Sequence, residues 1–147
     1  MAMVGTLISV DEYLHTMYHP DCDYVDGEII ERNIGEKSHG NLQFEIAFVF
    51  RMRRYQWNAF AFIEQRVQVS PTRFRIPEVC VYIGGEPEDE VFHVPPFICI
   101  EIRSPEDRLG RIQDRIDDYL SSASPMCGRS IHGLDALGPI QKMAAAK

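Results

Sequence analysis

Glu78 and Glu101 are acids in apolar company. The first follows a proline in RFRIPEVCVY and the second lies about two dozen residues later in FICIEIRS, and both runs otherwise read as buried strand. A carboxylate buried without partners costs several kcal/mol, so such an acid either sits at a strand end or holds something positive. Two acids on strands that converge at one sheet end would offer hard oxygen ligands to Mg2+ or Mn2+. A metal held there can activate a water and stabilise the charge that develops on a phosphodiester under attack. The plainer alternative is an ion pair with an arginine such as Arg75 or Arg103 at the sheet edge.

The elements that must position these acids can be read along the chain. SVDEYLHTM carries Ser9 with Glu12 three positions on, a capping box for a short helix with Val10, Tyr13, Leu14 and Met17 on its apolar face. In CDYVDGEIIER, Asp26-Gly27 separates two strand-like runs and predicts an antiparallel hairpin. From Ser38 to about Trp57, Leu42, Ile46, Val49, Phe50 and Trp57 fall near helical spacing. AFAFIEQRVQVS alternates as one strand with an irregularity near Glu64-Gln65. FRIPEVCVYI and PFICIEI are more continuously apolar, as central strands covered on both faces are, and the expected sheet is mixed. Ser104-Pro105-Glu106-Asp107 then supplies a cap, a proline for the first turn and two acids. Behind them Leu109, Ile112, Ile116, Tyr119 and Leu120 repeat at helical spacing to about Ser121.

Composition bounds the rest. At 147 residues, 45% hydrophobic and 25% charged, the chain suits one soluble globular domain. No apolar run is long enough to span a membrane and no cationic-then-apolar leader is present, so the expected location is the cytoplasm, with no membrane partner. Cys22, Cys80, Cys99 and Cys127 form no C-x-x-C pair, which indicates neither a disulfide scaffold nor a zinc site. The net charge of −7 argues against simple electrostatic attachment to nucleic acid, but arginines cluster at Arg51, Arg53 and Arg54, at Arg66, Arg73 and Arg75, and from Arg103 to Arg115. A bipolar surface is compatible with this distribution, and a homodimer is left open.

DYVDGE, SHGNLQ, IPEVCV, EIRSP and RIDDYL occur in that order between about residues 7 and 122. Together they resemble the PD-(D/E)xK nuclease superfamily, and more narrowly the large bacterial family of restriction endonuclease-like proteins. The resemblance implies an α/β, restriction endonuclease-like fold: a mixed sheet flanked by helices, with an N-terminal helix and β-hairpin, in a domain over residues 1–122. It implies Mg2+-dependent hydrolysis of DNA, with Glu78 and Glu101 as metal ligands. Glu28 and His39 match positions near the site, with Glu64 as a further ligand candidate. Their alternatives are a water-facing hairpin residue for Glu28 and a helix cap for His39. Glu78 replaces the family's aspartate, which lengthens the arm by one methylene. The family's lysine is absent too: Ser104 fills its strand position, and Arg115 on the following helix can clamp phosphate charge but cannot serve as a general base. The rival to an enzyme is a catalytically inactive remnant that at most binds DNA or a protein; an interaction module built on the acidic GGEPEDE loop is a weaker one.

After Ser122 the pattern stops. Residues 123–147 read as an irregular tail, and the final strand of the family pattern is expected to be missing. Back-translating Ser122 to Gly138 with freely chosen codons and reading another frame yields GVPYVWAVDPRTRRAW, which is the family's strand. A frameshift near residues 121–123 is the resulting expectation.

Overall fold

The computed structural model describes residues 6–33, 35–104 and 107–122, and the backbone of Met126–Ser130. Helix α1 spans Val10–Leu14, and the Ser9 hydroxyl accepts from the Glu12 N–H at 3.1 Å, as a capping residue should. The hairpin follows: β1 (Asp23–Val25) and β2 (Glu28–Ile30) pair antiparallel around Asp26-Gly27, where both residues adopt positive φ. Tyr13 of α1 is fully buried against Tyr24 and Phe74, whereas Met17 is exposed.

Helix α2 spans Lys37–Trp57 and ends where Asn58 takes a left-handed conformation. It lies on one face of a sheet made of β3 (Ala59–Ile63), β6 (Val79–Ile83), β7 (Ile98–Ile102) and β8 (Met126–Ser130), in the order β3-β6-β7-β8. Ile46 and Phe50 from the helix pack there against Ala59, Val79, Val81, Ile98, Ile100 and Ile102. The second sheet, in the order β2-β1-β5-β4, contains β4 (Val67–Ser70) and β5 (Arg73–Arg75). Val67 and Val69 of β4 meet Cys80, Tyr82 and Cys99 on the other face of the first sheet. Tyr119 joins them from α3, which spans Leu109–Ser121.

The one mixed sheet expected from the sequence therefore resolves into two. AFAFIEQRVQVS is split between them at Glu64, whose φ of 48° turns the chain out of β3. RFRIPEVCVY is split likewise at Ile76-Pro77-Glu78. Mixed pairing is confined to the first sheet, where β7 runs antiparallel to β6 and parallel to β8. Thus Met126–Ser130, within the stretch read as an irregular tail, takes the place beside β7 where a closing strand was expected to be missing. Ladder bonds are made by backbone groups, so even a segment without an apolar strand pattern can supply partners for β7. The rest of the tail, residues 123–125 and 131–147, lies outside the described residues.

Helix α3 begins later than the motif suggests. Arg108 rather than Ser104 stands at its N-cap, because the Asp107 carboxylate folds back to accept from the Ser104 N–H at 2.6 Å and holds that segment as a turn. Pro105 and Glu106 lie outside the described residues. The helix buries Ile112, Asp118 and Tyr119, and leaves Leu109 and Leu120 exposed. Among the described cysteines, Cys22, Cys80 and Cys99 are buried.

Replacing Phe50, 1% exposed beneath α2, by alanine is expected to lower stability by about 3–5 kcal/mol in urea unfolding. A loss below about 1 kcal/mol would contradict the packing of α2 on the sheet.

Candidate functional site

The register of β6 against β7 pairs Val79 with Ile100, and one step further along the same ladder places Glu78 opposite Glu101. Opposed residues of antiparallel strands project to the same side, so pairing alone brings the two acids together. Both are buried, Glu78 to 7% exposure and Glu101 to 5%. They line one groove of about 940 Å3, together with Asp23, Glu28, Arg32, His39, Arg75, Ser104, Arg111, Arg115 and Asp118.

Like charges set face to face require compensation, and several elements deliver it. Arg32, just beyond β2, donates from Nη2 to Glu78 Oε1 at 3.2 Å. The first turns of α2 add His39, with Nε2 at 3.4 Å from the same oxygen, and Gln43, which donates to Glu78 Oε2 at 3.1 Å and to its carbonyl at 3.0 Å. These two residues are four apart, so both face inward from one side of the helix, whose N-terminal end favours an anion.

Glu101 is held from α3. Arg115 approaches Glu101 Oε1 through Nη2 at 2.9 Å and Nε at 3.1 Å, and the Tyr119 hydroxyl, one turn on, donates to the same oxygen. Among the described residues every polar contact of the Glu101 carboxylate falls on Oε1, and Oε2 accepts from none of them. Burial pushes the Glu101 carboxyl up to about 7; Arg115 and the Tyr119 hydrogen bond oppose the rise, and the charges of Glu78 and Asp23 add to it. Burial by itself would lower the Arg115 pKa, but the carboxylates of Glu101 and Asp23 outweigh it and keep the guanidinium charged.

A second tier stands behind these contacts. Asp23 accepts from Arg75 at 3.1 Å and lies 3.6 Å from Arg115 Nη1, while Asp118 accepts from Arg75 Nε at 2.6 Å and from Arg73 Nη1 at 2.9 Å. The Ser104 Oγ is buried without a partner among the described residues.

Of the residues singled out in the sequence, Glu78, Glu101, Arg115 and His39 meet in this cluster, and Glu28 lines the groove from an exposed position at the start of β2. Glu64 does not join them. Its side chain is exposed outside the groove, because its positive φ aims the backbone instead, and only its N–H turns toward Glu78, whose carbonyl is 3.4 Å away. Arg75 pairs with Asp23 and Asp118 rather than with either glutamate. Asp23, Arg32, Gln43, Asp118 and Tyr119 were not singled out, although the spacing of Arg115 and Tyr119 already put the tyrosine on the arginine's face of α3.

Comparison with known proteins bears on the fold and the family. No curated protein sequence matches the chain. Among solved structures, the chain is similar to a crystal structure described as a putative nuclease belonging to DUF820 from Anabaena variabilis, with a TM-score of 0.74 and 25% identity. That match covers 84% of this chain and 74% of the other. The family model described as "Uma2: Putative restriction endonuclease" matches residues 10–126, a span that contains every element from α1 to α3, and the chain belongs to that family.

Proposed function

We propose that the groove is the active site of a metal-dependent DNA endonuclease that hydrolyses phosphodiester bonds. The observation that carries this reading is the convergence of Glu78 and Glu101, from adjacent strands, in one groove with Arg115 between them and Asp23. The donor chemistry suits Mg2+ or Mn2+: two carboxylates, with Glu101 Oε2 free of described partners, match ions that take one or two carboxylates and retain their waters. Glu78 and Glu101 would hold the ion, which when bound polarises a phosphate oxygen and makes a bound water more acidic.

The chain's own residues do the rest. Arg32, His39 and Gln43 fix the orientation of Glu78, and Tyr119 fixes that of Glu101. Arg115 supplies a permanent positive charge beside the reacting phosphate and takes no proton, since a guanidinium does not titrate in this range. Arg111, exposed on α3 at the groove's edge, is placed to meet the DNA backbone.

A second reading, an inactive remnant that binds DNA or protein, is favoured by one observation. Four carboxylates of the cluster, Asp23, Glu78, Glu101 and Asp118, already pair with four guanidinium groups, Arg32, Arg73, Arg75 and Arg115. Each of these four carboxylates thus has a guanidinium partner without a metal, although Arg73 is shared with Asp26.

Two measurements separate the readings. With Mg2+ or Mn2+ the chain is expected to nick supercoiled plasmid, and Glu101→Ala to lose at least about 100-fold of that activity. Nicking by neither protein, with both folded by circular dichroism and neither binding Mn2+ by electron paramagnetic resonance, selects the remnant. The second measurement uses pH. Below about 7 Glu101 keeps its proton and above it the carboxylate can ligate, so Mn2+ affinity should climb through that value.

The same shift has a signature without metal. Between the ordinary carboxylate range and about 7 the folded chain holds a proton that the unfolded chain has released, so stability attributable to Glu101 falls as pH rises through that window. Glu101→Gln should therefore gain stability relative to the parent across it; a difference that stays constant with pH contradicts the raised ionisation.

A further inference from the structure

Helix α2 is apolar on two sides. Its inner side carries His39 and Gln43 to Glu78, then Ile46 and Phe50 to the core. Its outer side carries Phe44, Phe48, Met52 and Tyr55, which are 67%, 50%, 68% and 80% exposed. The spacings of four, four and three residues align them in one stripe about three turns long, and the rings of Phe44 and Phe48 stack with centroids 5.9 Å apart. A surface helix ordinarily shows charge on its outer side, and a continuous apolar stripe of this kind marks an interaction surface.

Two features of the stripe identify its occupant. It is nearly symmetric about its middle: large apolar side chains stand four residues before Phe48 and four residues after it, at Phe44 and Met52. Charge along the exposed surface is not symmetric. Glu45 lies in the half that begins with Phe44, and Arg51, Arg53 and Arg54 crowd the half toward Trp57. A copy of the same helix laid parallel would set arginines against arginines. Laid antiparallel about Phe48, it sets the glutamate half of each copy against the arginine half of the other, with Phe48 meeting its own counterpart at the centre. The two helix dipoles then oppose as well.

We infer that the Phe44–Tyr55 stripe is a homodimer interface in which two copies of α2 pack antiparallel across a two-fold axis near Phe48. Such an isologous contact needs one self-complementary patch, which the stripe provides. The inference stands apart from catalysis, since none of its residues lines the groove.

The test is the assembly state of the full chain by analytical ultracentrifugation over a range of concentrations. A dimer is expected. Phe48→Asp should weaken it at least about 30-fold, the effect of losing a central anchor, while leaving the far-ultraviolet dichroism and the melting of the monomer unchanged. In a Cys127→Ser background, Phe48→Cys should cross-link two copies on mild oxidation, and Arg53→Cys, on the same helix but outside the stripe, should not. A monomer at all concentrations overturns the inference, whether the stripe is then bare or covered by the chain's own residues 131–147. A dimer indifferent to Phe48→Asp overturns it too, by placing the contact elsewhere.

Discussion

Two buried carboxylates facing each other across one ladder is the constraint from which most of this molecule follows. Pairing β6 with β7 is favoured by the apolar residues of both strands, and that same register forces Glu78 opposite Glu101. Neither acid can then remain charged in the interior without a cation against it. Arg32 reaches Glu78 from beyond β2 and Arg115 reaches Glu101 from α3, so the hairpin and the last helix are each tied to the first sheet by a charge they neutralise. Removing either arginine would leave a buried carboxylate uncompensated, a loss of about 3–5 kcal/mol in comparable buried pairs. Polar chemistry here is therefore part of what closes the fold.

The same groups solve a backbone problem. Between β5 and β6 the chain leaves one sheet for the other at Ile76-Pro77-Glu78, where Ile76 and Pro77 are fully buried and belong to neither strand. Pro77 has no N–H to satisfy, which suits it to this break. The Ile76 N–H donates to Asp23 Oδ1 at 3.0 Å, the Ile76 carbonyl accepts from Arg115, and the Glu78 carbonyl accepts from Gln43. These three backbone groups of the crossover thus reach side chains of the cluster around Glu78 and Glu101. The proline before Glu78 that looked out of place in a strand marks the point where there is no strand.

What the sequence could show divides along the range of the interactions involved. The Ser9 cap, the Asp26-Gly27 turn and the long α2 period are local, and the structure contains all of them. The two acids were conspicuous because apolar neighbours on both sides left no solvated face for them. Arg32, Gln43 and Asp118 gave no such signal: each is held by a partner more than thirty positions away in the sequence. Glu64 looked like a strand residue until the turn at its own φ was known, and the start of α3 moved because Asp107 bonds back to Ser104 instead of leading the helix. Periodicity also missed the two-sided character of α2, since Phe44 and Phe48 fall off the face defined by Ile46 and Phe50.

Arg115 shows how the kind of cation sets the roles within such a cluster. A buried amine can lose its proton through desolvation, whereas a guanidinium keeps it and offers a planar set of donors. Arg115 spends those donors on Glu101, on the Ile76 carbonyl and toward Asp23, which fixes its plane and leaves it a stationary charge. In the same groove the carboxyl of Glu101, raised by burial to about 7, can exchange a proton near neutrality. The arginine that stabilises Glu101 as an anion and the burial that opposes it act on the same oxygen atoms. Burial prevails, and the ionisation of this one acid rises to about 7, where a change of solvent, ion or neighbour can tip it.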